Sequence, residues 1–316
     1  MEQETAIINV VLQEYETLIN RFIISQDIAR VSRSTYKSSL RQFFNWFFEQ
    51  NVKNPTRETI LAYKESLDAK GLRPFTRSSY LVAVRKFFEW AEGLKIYPNI
   101  AKGIKGAKRS LKSHQKDSLS VEQIKLLLNS INTKTFQGQR DFALINLLFR
   151  TGLRLIEIAR ADIEDLQVDG DEALLWIRGK GRDGKDDFVV LTETAVTPIM
   201  QYLRTRKAKD KKQPLFGSLS DRNNGKRITT FSLSRLIKSY LRKAGLQSRR
   251  LTAHSLRHTF GVLSIKAGAS LYEVQLAMRH TAPTTTELYL GDIERIKRRE
   301  AAPERRLNAL FQEEKI

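Results

Sequence analysis

Three of the four histidines in this chain fall in a short stretch near its C-terminus, His254 and His258 in HSLRH and His280 in MRH, and Tyr289 follows nine residues after the last. Upstream, Arg154 stands in TGLR and Lys180 sits between two glycines in GKG. Arginines and imidazoles can neutralise the charge that develops on a phosphoryl group, a lysine can supply its proton, and a tyrosine hydroxyl can attack phosphorus. Together these residues could break a phosphodiester without a metal ion.

Taken singly, each residue has a plainer reading. His254 and Arg257 are three apart on an expected helix, so both project from one face and each can donate to a phosphate oxygen, the guanidinium with a matching fork. His258, followed by Phe260, Val262 and Leu263, is expected to turn toward the core. Arg154 follows Gly152 at a helix start and precedes Glu157 by one turn, where a surface ion pair worth about 0.3 kcal/mol is the ordinary outcome. In the company of Arg257 it becomes a second phosphate clamp. Lysines at hairpin tips such as Lys180 usually face solvent, and Tyr289, on a short helix between Leu288 and Leu290, would ordinarily be packing. The ordered set carries the reading, and no single member does.

Holding these groups together requires a mainly α frame with a small β-sheet. In the first hundred residues Ser32 is placed to cap a helix bearing Tyr36, Leu40, Phe43, Phe44 and Phe47. Thr56 is placed to cap one with Ile60, Tyr63 and Leu67, and Thr76 to start one with Tyr80, Leu81, Val84, Phe87 and Phe88. The aromatics keep the apolar period and so belong to a core rather than to base stacking, with Arg33, Lys37, Arg41, Arg77 and Arg85 facing outward. KGIKGAKRSLKSHQK then carries six basic residues and no acid. It reads as an extended linker whose Lys102, Lys105, Lys108, Arg109 and Lys112 lie against phosphates, the alternative being a solvated hinge.

A new domain opens where Ser120 and Gln123 form a capping box. DFALINLLFRTG is apolar on nearly every side and predicts a buried helix ending at Gly152. ALLWIRG and DDFVVLT predict two strands joined by GKGRDGKD, with Lys180 at the tip. The remainder predicts helices, a loop over 214–227 and a charged tail after Ile293.

Lys and Arg outnumber Asp and Glu 55 to 35 in 316 residues, a formal charge of +20 that points to a nucleic-acid partner. The absence of cysteine excludes disulfides, cysteine-ligated zinc and thiol nucleophiles. The acidic, amphipathic N-terminus is not a signal peptide, and no run reaches the roughly 18 apolar residues of a membrane span, so a cytoplasmic protein is expected.

The order and spacing of TGLRLIEI, GKGRDGK, HSLRHTF and RHTAPTTTELYL resemble the tyrosine recombinase (phage integrase) superfamily, most closely its Xer-like members. Two departures stand out: Met278-Arg279 replaces the usual Leu-Gly before the last histidine, and Ile156 replaces a commonly small residue. The resemblance implies a SAM-like, helical core-binding domain over 1–101, the basic linker over 102–117, an α+β catalytic domain over 118–293 and a tail over 294–316 that docks on a neighbouring protomer. It further implies that Tyr289 forms a 3′-phosphotyrosine while Lys180 protonates the departing 5′-oxygen, with Arg154, His254, Arg257 and His280 holding the phosphate. No cofactor, metal or ATP is implied. The partners implied are double-stranded DNA with inverted half-sites and a homotetramer on two duplexes, the protein free in solution being left open as a monomer. A type IB topoisomerase and a non-catalytic DNA-binding relative are the competing readings.

Overall fold

The computed structural model describes residues 2–52, 54–106, 117–169, 172–178, 184–208, 210–280, 283–304 and 307–308. The chain divides into two compact units, Met1–Ser110 and Leu111–Ile316.

The first unit is built from four helices, α1 (Glu2–Ser25), α2 (Arg30–Glu49), α3 (Arg57–Ala69) and α4 (Pro74–Gly93). Their apolar stripes meet in a core that includes Phe22, Leu40, Phe43, Phe47, Ile60, Tyr63, Leu67, Leu81, Val84, Phe87 and Phe88. The aromatic rings pack edge to face, as Phe43 does on Tyr63 at 4.9 Å and Phe44 on Phe87 at 5.3 Å. Rings engaged this way stabilise the bundle and are not available to stack on bases.

Thr56 caps α3 as expected, but two other helix starts differ from the sequence expectation. α2 begins at Arg30 with Ala29 at its N-cap, leaving Ser32 inside the helix, and the Arg33 guanidinium binds the carbonyls of Gln26 and Ile28 just ahead. α4 begins at Pro74 rather than at Thr76, because proline's fixed φ suits the first helical position.

The first residues of the expected linker pack on the first unit. Ala101 and Ile104 are buried in the first unit, and the carbonyls of Lys102 and Ile104 accept hydrogen bonds from Arg57 and Arg85. The Lys102 and Lys105 side chains are exposed, whereas Lys108, Arg109 and Lys112 lie outside the described residues.

In the second unit the Ser120 capping box opens α5 (Val121–Asn129), followed by α6 (Phe136–Thr151) and α7 (Leu155–Arg160). A three-stranded antiparallel sheet comes next, in the order β1 (Leu166–Asp169), β2 (Glu172–Ile177), β3 (Asp187–Leu191). α8 (Glu193–Arg206), α9 (Thr230–Lys243), α10 (Ala253–Lys266), α11 (Leu271–Met278) and α12 (Pro283–Ala301) complete it.

α6 is the central helix of the unit. Ala143, Leu144, Ile145, Leu147 and Leu148 are all buried in its main core, as the unbroken apolar run requires. The two strands expected from the sequence pair from Ala173↔Leu191 to Ile177↔Asp187, while β1 had no counterpart in that reading.

The C-terminal region differs from the expected short helix and separate tail. α12 runs without a break from Pro283 through Tyr289 to Ala301. Tyr289 and Ile293 are buried and Ile296 packs beside them, in a small cluster with Val262, Val274 and Met278 of the same chain. Ile293 and Ile296, at the start of the expected tail, are therefore covered in cis. Leu307 is exposed, and Leu310 and Phe311 lie outside the described residues.

Candidate active site

The site begins where α6 stops. Gly152 ends that helix with φ +62, a left-handed conformation natural to glycine, and a Cβ there would stand 2.6 Å from the Phe260 ring. The chain is thereby turned so that Arg154 becomes the N-cap of α7. Its backbone N–H donates to Glu157 Oε2 at 2.7 Å and its guanidinium to Oε1 at 2.7 Å. This is the i,i+3 pair expected from spacing, but it is no surface pair: the Glu157 side chain is 0% exposed and that of Arg154 32%.

Arg257, on α10, is 3% exposed and braces two other segments, donating to the carbonyls of Gly152 and Met278. Burial and the neighbouring Arg154 charge pull its pKa down to about 10. A guanidinium held in this way gains from an incoming anion, whose charge would offset both the desolvation and the repulsion. Burial opposes the charge on Glu157 as well, yet Arg279 and the Arg154 hydrogen bonds hold its carboxyl below the ordinary range.

His254 lies one turn before Arg257 and is exposed, so the two residues share α10 but not an environment. His280 follows α11 and its Nδ1 is 2.9 Å from the Thr286 hydroxyl of α12, a bond that orients the ring. Tyr289 is 3% exposed and its ring stacks with two imidazoles. His280 is nearly parallel to it at 6.2 Å, and His258 lies against it at 5.0 Å. The expectation that His258 is buried agrees with the structure, but its contact with the tyrosine was not foreseen.

Five of the six expected catalytic positions are thus described: Arg154 and Arg257 bind the backbone at the end of α11, His280 follows it and stacks with Tyr289 of α12, and His254 stands at the start of α10. Lys180 lies outside the described residues, though the strands β2 and β3 that flank it are paired. At the return of that hairpin Lys185 binds Asp165, Asp162 and Glu164. Burial opposes the Lys185 charge, but Asp165 and Asp162 hold its pKa above the usual lysine value.

Residue-by-residue reading missed Glu157 as a buried anchor, Gly261 beneath Tyr289, and Arg279. The spacing of Arg154 and Glu157 at a helix start was a usable signal for the first of these, since it is that of a capping box. Among the described residues no cluster of three or more His, Cys, Asp or Glu side chains could hold a metal ion, and no helix is long and apolar enough to cross a membrane.

Comparison with known proteins gives a consistent picture. The phage integrase family matches residues 117–294, and the phage integrase N-terminal SAM-like domain matches residues 16–93. The chain is 27% identical to tyrosine recombinase XerC of Herpetosiphon aurantiacus over 88% of its own length and 90% of the relative's. It superposes on XerH site-specific recombinase, bound to palindromic difH substrate in a post-cleavage complex, with a TM-score of 0.70, 23% identity and coverage of 86% and 79%. It also superposes on a lambda integrase tetramer bound to a Holliday junction, with a TM-score of 0.65, 13% identity and coverage of 89% and 76%.

Proposed function

The chain belongs to the phage integrase family, and we propose that it is a site-specific DNA recombinase whose Tyr289 cuts and rejoins DNA through a 3′-phosphotyrosine link. The observation that carries this reading is a convergence. Arg257 on α10 binds the Met278 carbonyl at the end of α11, and two residues later the His280 ring lies parallel to that of Tyr289 on α12, so residues from three helices meet at one place.

In the reaction so read, the Tyr289 oxygen bonds to phosphorus as the bond to the 5′-oxygen breaks. Lys180 gives its proton to that leaving oxygen, and a neighbouring imidazole takes the phenolic proton, because a tyrosine of pKa about 10 is otherwise a poor nucleophile at neutral pH. Arg154 and Arg257, with His254 and His280, hold the negative charge that builds on the non-bridging oxygens. The tyrosyl ester conserves the energy of the broken bond, so a second strand can attack it without ATP.

The charge of +20 supports duplex DNA as the substrate, with Lys102, Lys105, Lys108, Arg109 and Lys112 as backbone contacts. Inverted half-sites and a tetramer on two duplexes are the assembly this reading favours. The likeness to the lambda integrase tetramer supports a fold able to assemble in that way.

A nicked suicide substrate tests the reading. Wild-type protein should leave a denaturant-resistant protein–DNA adduct, and Tyr289→Phe should bind the same DNA and leave none. An adduct that persists in the variant would assign the nucleophile elsewhere.

A further inference from the structure

Arg279 sits in the left-handed conformation that ends α11, at φ 55 and ψ 49. Glycine occupies that region freely, while a residue with a side chain is strained there. The side chain is mostly enclosed, donating to Glu157 Oε2 at 3.0 Å and to the Ala277 carbonyl at 2.6 Å. Its Nε is buried with no hydrogen-bond partner. Ending a helix explains neither the buried charge nor the unsatisfied N–H.

The partners of Arg279 explain the buried charge. Glu157 Oε1 accepts from the Arg154 guanidinium, and Oε2 accepts from both the Arg154 backbone and Arg279. Arg154 in turn donates to the Arg279 carbonyl at 3.2 Å, which closes a ring of contacts. One fully buried carboxylate is therefore shared by two guanidiniums, of which Arg154 stays 32% exposed and Arg279 only 10%.

We propose that Arg279 is a positioning residue for the cleavage reaction: by sharing Glu157, it keeps the Arg154 guanidinium turned partly to the surface, where a phosphate must meet it. This rests on the recombinase reading above. Without Arg279, Oε2 would lose the one guanidinium that binds it among the described residues. The cation best placed to replace it is Arg154, whose fork can engage both carboxylate oxygens and would then be drawn inward. The same tie fixes the residue before His280, so the first arginine and the last histidine are set by one contact.

The test combines single-turnover cleavage of a nicked half-site, half-site affinity at several salt concentrations, and thermal unfolding. Arg279→Gly suits the left-handed backbone and should fold. It should bind DNA with an unchanged salt dependence yet cleave on the order of 10- to 100-fold more slowly, the size expected when a clamp is misplaced by about an ångström. Arg279→Lys should recover part of the rate. In a Glu157→Gln background, adding Arg279→Gly should change little, because the shared group is already gone.

Cleavage by Arg279→Gly at the wild-type rate would overturn the proposal. So would an equal loss in both backgrounds, or a salt slope reduced by about one, which would make Arg279 itself a phosphate contact. A wild-type chain that forms no adduct would refute the recombinase reading and this proposal together. A wild-type adduct with an unimpaired Arg279→Gly refutes this proposal alone.

Discussion

A Cβ added to Gly261 would stand 2.8 Å from Cζ of Tyr289 and 3.1 Å from the sulfur of Met278. α10 can therefore support the tyrosine ring only because it presents bare backbone at that point. Gly261→Ala should push Tyr289 off its seat, costing about 1–3 kcal/mol of stability as overpacking does, and should lower the rate of adduct formation. Thermal unfolding beside the suicide-substrate assay checks both, and an unaltered midpoint with an unaltered rate would refute the tight seat.

Glu157 makes a prediction with a definite sign. Its folded pKa lies below its ordinary value of 4.5, so the stability it contributes is fully present above pH 4.5 and is lost as pH falls through the depressed folded value. Glu157→Gln should lower the unfolding free energy at neutral pH by about 3 kcal/mol, the range for breaking a buried pair. The gap between variant and wild type should narrow below pH 4.5. A gap that does not change with pH would mean the carboxylate charge contributes nothing.

Lys180, as the proposed general acid, should be replaceable by chemistry. Lys180→Ala should slow cleavage by roughly 10²-fold or more, and sulfur in place of the 5′-bridging oxygen should restore most of the loss, since a thiolate leaves without a proton. Activity of the wild type should survive EDTA. If sulfur gives no selective rescue, another group protonates the leaving oxygen.

The segment after α12 is proposed to engage a neighbouring protomer. Truncation from Ala302 onward leaves the buried Ile293 and the packed Ile296 in place, so the shortened chain should bind one half-site normally. It should lose cooperative loading of two half-sites and strand exchange. A gel-shift titration in which the truncated chain loads the pair as cooperatively as the full one would contradict the trans role.

Much of this arrangement could be read from residue order, and the exceptions have physical causes. The capping box at Ser120, the left-handed stop at Gly152 and the paired strands β2 and β3 all obey local rules, so local reading finds them. β1 escaped because its four residues, LQVD, are mostly exposed and carry no inward-facing alternation. The continuity of α12 escaped because a threonine run such as Thr284, Thr285 and Thr286 suits a loop or a cap as well as a helix, whereas the buried stripe of Thr286, Tyr289, Ile293 and Ile296 is what holds the helix down. His258 against Tyr289, Gly261 under it and Arg279 on Glu157 arise where helices meet, and spacing along one helix does not report contacts made by another. The Arg279 replacement was visible as a departure from a familiar pattern. Its partner was not, because Glu157 lies 122 positions upstream.

α12 carries the proposed nucleophile on a single rigid rod. From Tyr289 to Ala301 the helix rises about 18 Å at 1.5 Å per residue, so the reacting hydroxyl and the far end of that rod cannot move independently. A small tilt imposed at Ala301 is delivered to Tyr289 as a change of angle, much as a handle moves a latch. Were a partner to grip that far end, the pull would reach the proposed nucleophile through the one helix.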